Sequence, residues 1–286
     1  MKPRPFDYRR VASVEEACRL LVEHGEAARV IAGGQSLVPM MNLRFVSPEL
    51  LVDIGGLEEL CAVAVAGDAL SIGALVRHRQ IETDPLVAQH APLLALAVRH
   101  VAHQAVRNRG TFGGSLCHAD PAAEFPACML VLEASMQVAS THGTRAIAAA
   151  DFFKGLFATA IAPGELLTGV TIPLDAAGDR VAIHEMARRH GDLAMVGIVG
   201  RRAPHQFGPQ RWAAFGVEDR PVRLARLEAT LRGRPQADEA EMMAALVADL
   251  PSTAGAGAPG RARLVIAAEL ARRCRDDLDR LQGAAA

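Results

Sequence analysis

Apolar and polar residues alternate along the chain in two rhythms. Helical spacing first shows at residues 13–24, where Ala17, Leu20 and Leu21 form one stripe. Ser13 stands at the cap position with Glu16 three residues on, and Gly25 marks the stop. Short apolar runs at 29–32, 50–54 and 69–74 read as strands, two of them ending in paired glycines or followed by them. Residues 77–82, 92–103 and 121–133 read as helices, the last with proline in its first turn. Strand patterns return at 136–139 and 166–172.

Residues 173–180 (Pro-Leu-Asp-Ala-Ala-Gly-Asp-Arg) have turn chemistry, and a domain boundary is expected there. Beyond it lie strand patterns at 181–186, 195–200 and 211–217, then helical patterns at 221–231 and 237–250. Residues 252–260, rich in glycine and alanine, read as a loop. The last helix sets Leu264, Ala267, Ala271, Cys274, Leu278 and Leu281 on one face. That stripe is too short for a coiled coil and reads as core packing. The pattern predicts a mixed α/β body followed by an α+β tail.

Composition narrows the function. Half of the 286 residues are apolar and 22% are charged, an ordinary globular balance. The formal net charge of −1 provides no overall attraction to nucleic acid or an anionic surface. No apolar run reaches the ~18 residues of a membrane span, and the first residues lack a secretory apolar core. Cys18, Cys61, Cys117, Cys128 and Cys274 are scattered, with no C-x-x-C pair. They read as reduced thiols of a cytoplasmic protein, and no iron–sulfur cluster of ferredoxin type is expected within the chain.

Two glycine turns carry the candidate chemistry. The first is Ala32-Gly33-Gly34-Gln35-Ser36 and the second Thr111-Phe112-Gly113-Gly114-Ser115. A diphosphate needs several backbone N–H donors at close range, where a side chain would intrude. Either turn alone is as readily an ordinary tight turn. Together they suit a ligand with two phosphates. Neither is the G-x-G-x-x-G nicotinamide fingerprint or a phosphate loop with G-K-[ST]. Arg107 and Arg109 stand beside the second turn, as anion supports or as solvated loop charges. His118, Asp120 and Glu124 follow it. They lack a second histidine at helical spacing, so a metal site has little support. Asp120 suits a helix cap, and Glu124 could accept from a ribose hydroxyl. His78, His100 and His103 read as packing or surface residues. No G-x-S-x-G elbow supports hydrolysis.

The run from Ala32 to Leu37, continuing to Asn42-Leu43-Arg44, then Ile72-Gly73-Ala74, then the stretch from Asn108 to Ser115 with His118-Ala119-Asp120-Pro121-Ala122-Ala123-Glu124, resembles one family. It is the FAD-binding medium subunit of molybdenum hydroxylases, the group of carbon monoxide dehydrogenase and xanthine dehydrogenase. Arg188-Arg189-His190-Gly191-Asp192 also resembles a motif early in that family's C-terminal domain. The resemblance implies an α+β protein with an FAD-binding fold of the vanillyl-alcohol-oxidase (PCMH) type over residues 1–176. It implies two α/β subdomains, about 1–56 and 57–176. A C-terminal domain over 177–286, a three-stranded antiparallel sheet with helices, would follow.

The resemblance also implies function. FAD would be held by Ala32, Gly33, Gly34, Gln35, Ser36 and Leu37, and by Thr111, Gly113, Gly114 and Ser115. Backbone N–H groups of both turns would face the diphosphate. Val101 would pack near the cofactor and Leu167 on its adenine side. Glu124 would match the family's acidic contact, and Asp192 would lie near the flavin. The implied partners are a small subunit with two [2Fe–2S] clusters and a large subunit with molybdopterin, as a dimer of heterotrimers. Electrons would pass from molybdenum through the clusters to FAD and on to an external acceptor. A lysine that some members carry near Glu185 and a tyrosine near Leu193 are absent here. Two other readings stand beside this one: a stand-alone FAD-dependent oxidase, and a structural subunit that has lost its flavin. Substrate and electron acceptor are not written in this chain.

Overall fold

The computed structural model describes residues 2–174, 179–203 and 209–280. Three sheets organise it. The first is parallel, in the order β1 (Asp7–Arg10), β3 (Leu50–Asp53), β2 (Ala28–Ile31). The helix Val14–His24 makes the crossover from β1 to β2. Its cap forms as the sequence pattern expects, with Ser13 Oγ accepting from the Glu16 N–H at 3.1 Å. Val11, Ala17, Cys18, Val52 and Ile54 close a small core between helix and sheet.

The second sheet is antiparallel throughout, where an α/β subdomain was expected. It runs β4 (Val63–Ala66), β5 (Ala69–Gly73), β10 (Leu166–Pro173), β6 (Ser135–Ser140), β7 (Gly143–Ala148). The connection from β5 to β6 carries six short helices, ending with Phe112–His118 and Glu124–Val131. The last is buried along nearly its whole length, at the centre of the largest core. A two-stranded ribbon, β8 (Phe153–Gly155) with β9 (Ala158–Thr159), follows.

The third sheet is antiparallel with four strands, not three: β11 (Arg180–Met186), β12 (Val196–Arg202), β13 (Gln210–Phe215) and β14 (Val222–Arg223). The extra strand is two residues long, too short to leave a periodic signal. Both faces of this sheet are covered. Val199, Ala213 and Phe215 join the core of the second sheet, while Ile198, Trp212 and Ala214 face the C-terminal helices.

Several boundaries differ from the sequence pattern. The helix expected over 92–103 ends at Ala97, and a turn with Ala102 at φ 45° follows. The segment 252–260 is not a loop: it forms the helix Pro251–Gly255 and begins the helix Gly257–Arg280. Gly260 lets that helix sit against the Thr253 carbonyl, which any Cβ would strike. The expected boundary at 176/177 and Leu281 lie outside the described residues. Among the described residues no helix is long and apolar enough to cross a membrane.

Gly197 on β12 pairs with Phe215, whose ring is fully buried over it. A Cβ there would overlap the ring. Gly197→Ala is expected to cost about 1–3 kcal/mol and to lower the thermal midpoint by several degrees. An unchanged midpoint in calorimetry would contradict this packing.

Candidate functional site

The two glycine turns meet. The first follows β2 directly, and the N–H of Ile54 holds the Ile31 carbonyl at 3.1 Å, fixing where the turn begins. Gly33 lies against the backbone of Arg109 and Gly110, and a Cβ on it would collide with the Arg109 carbonyl. Gly34 has φ +70°, a conformation that favours glycine. The backbone N–H groups of Gly33, Gly34, Gln35 and Ser36 find no acceptor among the described residues. The Gln35 side chain turns back onto the Gly33 carbonyl at 3.0 Å. Successive unpartnered N–H groups around one left-handed residue form a concavity suited to an anion. Leu37 opens the short helix Leu37–Asn42, and Ala32 joins strand to turn.

The second turn is built differently. It is not a loop but the start of the helix Phe112–His118, with Thr111 as its cap. Its N–H groups, expected to be free, are already used. Phe112 donates to Val76 O at 2.8 Å and Gly113 to Ala74 O at 2.9 Å. Gly114 donates to Thr111 Oγ1 at 3.2 Å and Ser115 to Thr111 O at 3.0 Å. Gly113 is required because a Cβ would strike Ala74 at 2.6 Å. What remains for a ligand here is the Ser115 hydroxyl and the exposed edge at Gly114, whose capping bond is long.

Leu167 lies close to this turn through the backbone. The Ala74 N–H donates to Thr168 O at 2.9 Å, and Ala74 O takes the Gly113 N–H. Its side chain is core, 2% exposed.

Val101, Asp192 and Glu124 gather at a second place. Arg107 donates to the carbonyls of Val101 (3.2 Å) and Ala102 (3.0 Å) and pairs with Glu82 at 3.3 Å. It is thereby a brace for this turn, not an anion support. Gly191 rests on the Ala102 carbonyl, a Cβ there falling 3.1 Å from it, which sets exposed Asp192 beside the Val101 turn. His100 pairs with Glu185 at 3.2 Å, and this bond raises the imidazole above its ordinary value. Glu124, 7% exposed at the first position of its helix, is pushed up to about 7 by burial, with repulsion from Glu185 adding to it. The buried Glu185 Oε2 has no hydrogen-bond partner. Among the described residues no group of three or more His, Cys, Asp or Glu side chains could hold a metal ion.

Sequence reading took His78 for a packing or surface residue, and the structure buries it. It is 5% exposed and lies against the second turn and the Phe125 ring. Only its register with a turn 33 residues away reveals this.

A row of free N–H groups, walled by a second glycine turn, has the chemistry of an anion site. A family model, described as the FAD binding domain in molybdopterin dehydrogenase, matches residues 4–175. The chain belongs to this FAD-binding family of molybdopterin dehydrogenases. It is 38% identical over 239 residues to the caffeine dehydrogenase subunit beta of Pseudomonas sp. (strain CBB1), covering 82% of this chain and 81% of that one. Its structure is similar to carbon monoxide dehydrogenase from Hydrogenophaga pseudoflava lacking the Mo-pyranopterin moiety of its cofactor. The TM-score is 0.91 at 31% identity, over 98% of this chain and 99% of the other. It is also similar to quinoline 2-oxidoreductase from Pseudomonas putida 86, with TM-score 0.88 at 37% identity over 99% and 100% of the two chains.

Glu124 titrates in the folded chain near 7 against 4.5 in the unfolded one. Between these values folding takes up a proton. The stabilisation is therefore complete below pH 4.5 and lost as pH rises through about 7. Relative to Glu124→Gln, the wild-type unfolding free energy is expected to fall across that window in denaturant titrations. A difference that stays constant with pH would contradict the buried, protonated carboxyl.

Proposed function

We propose that this chain is the flavin-carrying, electron-transfer subunit of a molybdenum hydroxylase complex. One observation carries the reading: the row of unpartnered backbone N–H groups at Gly33, Gly34, Gln35 and Ser36, set against the second glycine turn. The N–H groups of Gly33, Gly34, Gln35 and Ser36 would donate to the oxygens of the FAD diphosphate. Ala32 and Leu37 bound the cradle. Thr111 and Gly113 shape the opposing wall, while Gly114 and the Ser115 hydroxyl complete it. Val101 and Asp192 stand at the flavin end with Glu124 as the acidic contact, and Leu167 lies on the adenine side.

FAD supplies the redox chemistry, accepting an electron pair and passing it on; the protein's part is placement and electrostatics. The glycine turns bind the diphosphate and exclude side chains from it. The brace from Arg107 to Val101 and Ala102 fixes the turn at the other end. Burial raises Glu124 to about 7, so below that pH its carboxyl can offer a hydrogen bond without adding negative charge. No general base is required of this chain.

The partners in this reading are a small subunit with two [2Fe–2S] clusters and a large molybdopterin subunit, assembled as a dimer of heterotrimers in the cytoplasm. Electrons reach FAD from the clusters and leave to an external acceptor. All five cysteines are free and dispersed, which supports placing the clusters on another chain. The FAD-binding domain comprises residues 1–176, with subdomains about 1–56 and 57–176, and the C-terminal domain residues 177–286.

Gly34→Asp puts a carboxylate at the anion cradle on a residue with φ +70°. Purified protein incubated with FAD and desalted is expected to retain flavin absorbance, and the variant to retain at most about a tenth of it. Equal flavin content in the two would overturn the reading.

A further inference from the structure

Three successive carbonyls of the second turn are held by two successive residues. The Arg77 guanidinium donates to the Arg109 carbonyl. The His78 backbone N–H donates to Gly110 O at 3.0 Å. The His78 ring donates from Nε2 to Thr111 O at 2.9 Å. A carbonyl only accepts, so the ring carries its proton on Nε2 and leaves Nδ1 bare. Nδ1 is buried and has no partner. A neutral ring is what the surroundings impose. Burial lowers it to about 4, and the nearby Arg77 and Arg107 charges oppose a second proton.

The consequence reaches the first turn. The Arg109 carbonyl is the atom that Gly33 packs against. Bound to Arg77 and His78, the carbonyls at 109–111 are fixed in place, and with them the backbone that Gly33 meets. A Cβ on Gly110 would stand 3.0 Å from both Cε1 and Nδ1 and press on the ring. The edge of Phe125, 5.2 Å from the imidazole between ring centres, closes the other side.

We propose that His78, together with Arg77, is a positioning residue for the diphosphate site, binding the carbonyls of Arg109, Gly110 and Thr111 and so fixing the wall against which Gly33 packs. The inference rests on the FAD reading above. It assigns His78 no contact with the cofactor.

The clamp acts at the diphosphate end alone, so ligand fragments test it. FAD, ADP and riboflavin are titrated against purified wild type, His78→Leu and His78→Gln, with thermal midpoints recorded for each. Leucine fills the space without a donor. Glutamine returns an N–H near the Nε2 position. Loss of one buried hydrogen bond at this place is expected to weaken FAD and ADP about tenfold or more in His78→Leu. Riboflavin, lacking the diphosphate, is expected to bind equally to both, and His78→Gln to recover most of the ADP affinity. Should His78→Leu fail to fold, Gly110→Ala presses the same ring from the opposite side and is expected to give the same selective loss. Undiminished ADP binding in folded His78→Leu would overturn the inference. So would an equal loss of riboflavin, which marks a general structural role. If wild type binds neither FAD nor ADP, the FAD reading falls and the inference falls with it. Wild-type binding with an unaffected variant removes the inference alone.

Discussion

Everything at the candidate site depends on one close approach, that of Gly33 to the Arg109 carbonyl. A side chain at Gly33 would push the turns apart. With it absent, a turn from the first sheet and a turn from the second share one wall. Each half contributes something the other lacks. The first turn has N–H groups without acceptors, and the second has a backbone wholly committed to Val76, Ala74 and its own cap. An anion site needs both, because free donors must be held by something that is not itself free to move.

The third sheet contributes from further away. With apolar residues on both faces it is locked between the central core and the C-terminal helices. Its leading strand ends near Glu185, and the turn after it brings Gly191 onto Ala102. The pairing of His100 with Glu185 ties the same region to the helical connection of the second sheet. Thus the Val101 end of the proposed site is set by contacts of the third sheet with the helical connection, while the Gly33 end is set by contacts between turns. The raised titration of Glu124 comes mainly from its burial here, with Glu185 adding to it.

Much of the fold was legible where burial imposes a period. β10, buried over most of its length, and the helix Val14–His24, with one apolar face, were read nearly to their ends. β1 was not read, because Asp-Tyr-Arg-Arg is exposed at every position and is a strand only through its pairing with β3. The edge strand β7 is exposed over most of its length and failed for the same reason. At the site, the glycines announced both turns, but not their difference. Thr111 caps a helix whose first N–H groups go to the Val76 and Ala74 carbonyls and to the cap, so they are not offered as in a bare glycine turn. His78 left no sequence signal, since its meaning lies in a register with Thr111 that no local pattern encodes.

The central claim is that the N–H row at residues 33–36 receives the diphosphate. Amide proton and nitrogen resonances followed during a titration with ADP test it directly. The account expects the amides of Gly33, Gly34, Gln35 and Ser36 to shift together and saturate. The Phe112 and Gly113 amides, already bonded to Val76 and Ala74, are expected to move little. Shifts centred elsewhere, or none at residues 33–36 at saturating ADP, would contradict it.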